Sequence, residues 1–185
     1  MSSDGKTSSS PLDWFSNLIG YAAVRDWTPA YRKGESRIDL PVYAQIDTYS
    51  CGAVAGFQVA KYFHPTAVFS EFYACTSPSP DHGTSTKQLI EALEQYGIRC
   101  SRPRRPSLKG IRAAIDAERP VIITIQNPGS DNTHWVTVYG YGDGYMLMAT
   151  NGLPFFSKHR VDNRKFTQLW HKGCRPDTLV CRRAF

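Results

Sequence analysis

The feature that most constrains this chain is a change of period near residue 119. Before it, apolar residues recur at helical spacing; after it, they alternate as strand residues do. Residues 51–63 (CGAVAGFQVAKYF) place Val54, Phe57, Val59, Ala60 and Phe63 on one broad apolar band, and His64-Pro65 ends it. The same spacing predicts helices over 11–24, 66–75, 85–97 and 107–118. Ser85 with Gln88 reads as a capping box, and Gly97 as the stop of that helix. Residues 25–37 read as a loop and 40–43 as extended chain. Beyond 119, 121–125 reads as a buried strand. Residues 135–141 and 145–150 form a hairpin about Gly142-Asp143-Gly144. A strand near 155–161, a short helix over 163–171 and a last strand over 178–183 follow. Helices first and an antiparallel sheet second is the α+β class.

A chain of 185 residues has room for one full core. We expect a single domain over 11–185 behind a flexible polar lead, residues 1–10. No run reaches the roughly 18 apolar residues of a membrane span, so no membrane insertion is expected. The lead has no apolar segment of the Sec type, which predicts a cytoplasmic protein or one exported by a non-Sec route.

The net charge is +6, with basic residues gathered at 99–105 and 175–183. No recognition helix or Gly-rich phosphate loop accompanies them. They read as a solvated surface, and no nucleic-acid partner is expected. The five cysteines, Cys51, Cys75, Cys100, Cys174 and Cys181, are odd in number and scattered, which fits a reducing compartment. A zinc site from Cys100, His171, Cys174 and Cys181 is conceivable, but the spacing matches no common zinc module. All but Cys51 are read as buried or unreactive thiols; no metal and no cofactor is assigned, and nothing sets an oligomeric state.

Three places carry chemistry together. A polar loop, Gln45 to Ser50, runs into a helix whose first residue is Cys51. His134 opens the first hairpin strand, and Asn151 closes the second. The positive end of a helix lowers a thiol's pKa and favours the nucleophilic thiolate. Antiparallel pairing brings the neighbourhoods of 134 and 151 together. Asn151 can then hold the His134 ring while His134 takes the proton of Cys51, a nucleophile–base–orienter chain. Gln45 can fold back beside the Cys51 N–H, and two converging donors make an oxyanion hole. Asp47 reads as a turn residue, and Trp135 as a shield over the His–Asn hydrogen bond.

Gln45-x5-Cys51-Gly52, then His134-Trp135 on a strand, then Asn151, resembles the papain-like cysteine peptidases. The strand HWVTVYGY resembles most the peptidase C39-like branch, over about residues 40–152. The resemblance implies a papain-like fold, an N-terminal helical half against a C-terminal antiparallel sheet. It implies Cys51 as nucleophile, His134 as general base and acid, Asn151 as orienter and Gln45 as oxyanion donor. The C39 type commonly has Asp-Pro where this chain has Asn151-Gly152. Transporter domains are not recognised in the sequence, so leader processing is not carried over. The expected function is hydrolysis of a peptide or isopeptide bond in a peptide or protein substrate through a thioester, compatible with a secreted effector or toxin. The alternatives are an acyltransferase or transamidase with the same site, or an inactive peptide-binding member.

Overall fold

The computed structural model describes residues 30–45, 47–126, 132–151, 158–171 and 177–184. The helix expected over 11–24 and Cys174 of the zinc alternative lie outside them. Five helices are described: α1 Cys51–Phe63, α2 Phe69–Thr76, α3 Thr86–Gln95, α4 Leu108–Asp116 and α5 Asn163–His171. The strands are β1 Ser36–Arg37, β2 Ile98–Ser101, β3 Val121–Gln126, β4 Thr133–Gly142, β5 Tyr145–Ala149, β6 Lys158–Asp162 and β7 Thr178–Arg183.

The strands form one sheet in the order β2-β7-β3-β4-β5-β6, and every described pairing is antiparallel. β1 lies beside the far end of β4 and pairs Ser36 with Tyr141. The segment read as a loop over 25–37 therefore contributes a short strand. It fits because Gly140 has no Cβ: one placed there would lie 2.8 Å from the Ser36 carbonyl oxygen. β2 is a second strand the periodicity does not predict. Its four residues, Ile-Arg-Cys-Ser, bury only Ile98 fully, so no apolar alternation marks it.

Side chains alternate across the sheet and build two cores. Ile122, Leu179 and Cys181 face α1, α2 and α3, with Phe57, Phe72, Leu89 and Leu93 between. Val121, Ile123, Val136 and Val138 face the other way, under α4 and α5, with Ile111, Ile115, Phe166 and Trp170. Helices thus cover both faces of the antiparallel sheet. Gly56 sits where α1 meets α2 and α3, and a Cβ there would meet Leu89 at 2.4 Å. The start of α3 is built as its sequence predicts: the Ser85 hydroxyl accepts from the Gln88 N–H, and the Gln88 side chain accepts from the Ser85 N–H.

Two details aim the sheet at the cleft. The first is a β-bulge in β4. Gly140 pairs with Leu147, but Val138 pairs with Met148, so Tyr139 is the extra residue. That shift carries Trp135, rather than Val136, opposite Asn151. The second is the approach to α1. Glu35, buried, accepts from the Tyr145 hydroxyl at 2.7 Å and Arg160 Nε at 2.8 Å. Leu40 and Val42 then bury beside Tyr139 and Leu147, and the Gln45 N–H donates to the Asn151 carbonyl at 2.8 Å.

Candidate active site

Cys51 is the first residue of α1, and the turn before it is built by Asp47. Asp47 Oδ1 accepts from the N–H of Tyr49 at 2.9 Å and of Ser50 at 2.6 Å. This Asx turn delivers the chain into the helix, since Ser50 makes no side-chain cap. The turn role read for Asp47 is the one it plays.

The helix start lies directly on β4. A Cβ on Gly52 would fall 2.9 Å from the Trp135 ring and 2.7 Å from the Thr84 side chain. Glycine is what lets the indole lie across the first turn, where its Nε1–H donates to the Thr84 carbonyl at 3.0 Å. Trp135 thereby ties β4 to the loop before α3. Cys51 and Trp135 line a cleft of about 440 Å³ together with Thr48, Tyr49 and the segment Pro80 to Thr86. Asn132, Thr133 and Asp177 also line it.

The Cys51 sulfur is reached by the backbone N–H groups of Trp135, Gly52 and Cys51 itself, which favour the thiolate. Burial acts the other way and is the larger effect, with the Asp47 carboxylate adding to it, so the thiol is pushed above its usual 9.0. The expected lowering by the helix terminus is outweighed, because Cys51 is only 9% exposed.

His134 sits at the head of β4, one residue before the indole, paired with Ile125 of β3. Its Nε2 lies 2.7 Å from the Thr150 carbonyl. A carbonyl only accepts, so in the neutral ring Nε2 carries the hydrogen and Nδ1 is the basic nitrogen. Burial pushes the imidazole below its usual 6.5, and the Thr150 contact partly opposes this.

Asn151 is 1% exposed and has a left-handed backbone, φ +60°, a conformation asparagine tolerates better than most residues. Its Nδ2 donates to the Trp135 carbonyl at 2.8 Å and the Cys51 carbonyl at 3.1 Å. Its Oδ1 accepts from Gln58 Nε2 at 2.9 Å. The side chain expected to hold the imidazole thus holds the backbone on either side of the sulfur, and Thr150 holds the ring. Gln45 is half-buried, and its amide points to Asp47 Oδ1 at 3.5 Å.

Gln58 and Thr150 are the residues sequence reasoning missed. Gln58 is fully buried in α1 and also donates to the Tyr43 carbonyl at 3.3 Å. Its signal was a lone amide seven residues after Cys51, hence on the same helix face, inside an otherwise apolar band. Thr150 acts through its carbonyl, which no side-chain pattern reveals. Among the described residues no group of three or more His, Cys, Asp or Glu is placed to hold a metal ion, and no helix is long and apolar enough to cross a membrane.

The architecture is similar to that of several solved structures. A double-glycine-motif protease from an AMS/PCAT transporter, solved with its leader peptide, superposes with a TM-score of 0.61 at 15% identity, covering 80% of this chain and 95% of that one. The peptidase domain of Streptococcus ComA, a bifunctional ABC transporter of a quorum-sensing pathway, gives 0.60 at 20% identity, over 74% and 95%. A C39-like peptidase from Bacillus anthracis gives 0.61 at 12% identity, over 82% and 99%. Curated proteins offer no match. The fold is that of the papain-like peptidases. The model of the Peptidase C39 family matches residues 39–174, and the chain belongs to that family.

Proposed function

We propose that this chain is an active cysteine hydrolase that cuts a peptide or isopeptide bond through a thioester on Cys51. The observation that carries the reading is the His134 Nε2 contact with the Thr150 carbonyl, 2.7 Å. It fixes the tautomer that leaves Nδ1 basic, on the residue next to the Trp135 N–H that reaches the Cys51 sulfur. His134 takes the thiol proton as sulfur attacks the substrate carbonyl carbon. The Cys51 N–H and the Gln45 amide receive the developing oxyanion once Gln45 turns from Asp47. The C–N bond breaks, and the leaving amine takes the proton from His134. Water, deprotonated by His134, then opens the thioester and restores the thiol. Asn151 enters as a positioning residue, holding the carbonyls of Cys51 and Trp135.

A peptide suits the cleft. One structural neighbour was solved with a leader peptide, and the cleft that Cys51 lines is open to solvent and bordered by polar loop residues, among them Thr48, His82 and Asn132. A second reading, an inactive peptide-binding member, is favoured by the burial of Cys51 and by the engagement of the Gln45 amide with Asp47.

The test is to trap the acyl-enzyme from a peptide p-nitrophenyl ester by acid quench and intact mass. The hydrolase reading expects one acyl group, mapped to Cys51, absent in Cys51→Ala and slow to form in His134→Ala. A wild-type chain that binds the peptide without acylating supports the binding module instead. Adding an amine nucleophile separates hydrolysis from acyl transfer by the product formed.

A further inference from the structure

A pair of thiols stands well outside the cleft. β2 and β7 place Cys100 directly opposite Cys181. The Ala184 N–H donates to the Gly97 carbonyl at 2.8 Å, which makes 97/184 a hydrogen-bonded rung. Rungs alternate along an antiparallel pair, so 99/182 is hydrogen-bonded as well, and 100/181 is not. The Cys181 N–H agrees with this, because it is turned away to β3 and donates to the Pro120 carbonyl at 3.1 Å. A non-hydrogen-bonded pair is where facing side chains come closest, with Cα atoms about 4.5 Å apart, inside the range a disulfide spans. The two sulfurs lie 3.5 Å apart. Bringing them to bonding distance asks for side-chain rotation and no strand shift.

The two thiols differ in access. Cys181 is 0% exposed, whereas Cys100 is half-buried at the sheet edge. We propose that Cys100 and Cys181 form a reversible thiol–disulfide site, entered through Cys100 by a low-molecular-weight disulfide. The Cys100 thiolate attacks one sulfur of the small disulfide, whose S–S bond breaks and releases one thiol. Cys181 then attacks Cys100 Sγ in the mixed disulfide and expels the second thiol. The two protein thiols lose two electrons and two protons, and the small disulfide becomes two thiols. The second step is favoured over stalling because the resolving sulfur is already in contact, while external thiols cannot reach it.

The link would join residues 81 apart in sequence, tying the edge strand β2 to the C-terminal strand β7. β7 begins directly after Asp177, which lines the cleft and accepts from Thr86 at 2.5 Å. The oxidised form therefore fastens that wall of the cleft to the sheet edge, and a chain so fastened withstands heat better. The scattered count of five cysteines hid this, since only the β2–β7 register makes two of them neighbours.

The experiment equilibrates the full chain carrying Cys51→Ala, which keeps the cleft thiol out of the exchange, with a ladder of reduced and oxidised glutathione. After acid quench and alkylation, digestion should yield one cross-linked peptide pair, Cys100 to Cys181. The oxidised chain should melt at least about 5 °C higher, an increment lost with dithiothreitol and absent in Cys100→Ser. Because Cys100 is only half-buried, Cys100→Ser keeps the fold, and its reduced melting point checks that. The proposal is overturned if glutathione stays on Cys100 as a mixed disulfide across the ladder, if other cysteines pair instead, or if the cross-linked chain melts no higher than the reduced one.

Discussion

The two faces of the sheet are covered by helices of similar length but held in different ways. Under α4 and α5 the contacts are those of an ordinary core, in which Ile111 and Ile115 lie among Ile123 and Val136 and the large rings of Phe166 and Trp170. Under α1 the core is equally apolar at the far end, around Phe57 and Phe72. Where α1 begins, the seam with β4 turns polar. Gln58 and Asn151 are 0% and 1% exposed and spend their amides on each other and on three backbone carbonyls. Gln58 Oε1 and Ser50 Oγ are buried there with no hydrogen-bond partner among the described residues. An unmet buried polar atom costs about 1–3 kcal/mol. A seam shaped for stability alone would be greasy, as the back face is. Directional bonds at this one place fix where the sulfur and the β4 backbone stand relative to each other.

The largest break in the comparison is chemical. His134→Ala should lower turnover of the peptide ester by about 10²–10⁴-fold while the melting point barely moves, since the ring is only part-buried and its one described bond is to Thr150. On the back face the reverse is expected. Phe166→Ala empties a fully buried ring site and should cost about 3–5 kcal/mol in urea unfolding. Turnover per folded molecule should stay unchanged, and a matching fall in turnover would show that the two faces are not separable.

Substitutions inside the polar seam should move both readouts. Gln58→Leu keeps the volume but leaves Asn151 Oδ1 without its donor, for about 1–3 kcal/mol and a fall in turnover of about tenfold or more from misplacement of the sulfur. Asn151→Asp sharpens the point. If residue 151 acted by orienting the imidazole, aspartate would serve, as it does in the common C39 pattern. Here Nδ2 faces two carbonyl oxygens at 2.8 and 3.1 Å. An aspartate oxygen placed there repels both, so the substitution should lower stability and turnover together. An Asn151→Asp chain as stable and active as the parent would return Asn151 to the orienting role.

Much of this was legible in the sequence, and what was not has a physical reason. α1, α3 and the β4–β5 hairpin were readable because each carries its own period and its own stop, in Pro65, Gly97 and Gly144. β2 was not readable: four residues with two exposed side chains become a strand only through β7, the strand they pair with more than 75 residues later. Cys51, His134, Asn151 and Gln45 were singled out by type and order, and the structure bonds the Asn151 amide to the Cys51 carbonyl and His134 Nε2 to the Thr150 carbonyl. Their bonding was not readable. It depends on the one-residue bulge at Tyr139 and on a carbonyl, Thr150, and neither leaves a mark in residue type.

The smallest expected effect is in pH. Burial pushes His134 below 6.5 and Cys51 above 9.0, so between those values the pair rests as neutral imidazole and thiol. That state holds the same number of protons as the imidazolium–thiolate pair that reacts, and the limbs of a kcat/KM profile belong to the pair as a whole. Both shifts widen the plateau: the acid limb should fall below 6.5 and the alkaline limb above 9.0. Stability follows the same sign. The folded ring binds its proton less readily than the unfolded one, so its contribution is present above 6.5 and is lost as pH falls through the lowered folded value. The parent melting point should therefore drop on acidification through that window more than that of His134→Ala. An acid limb above 6.5 would mean that burial does not hold down the ring's affinity for its proton. The polar seam would then leave His134 open to water, where the structure has it enclosing two neutral groups.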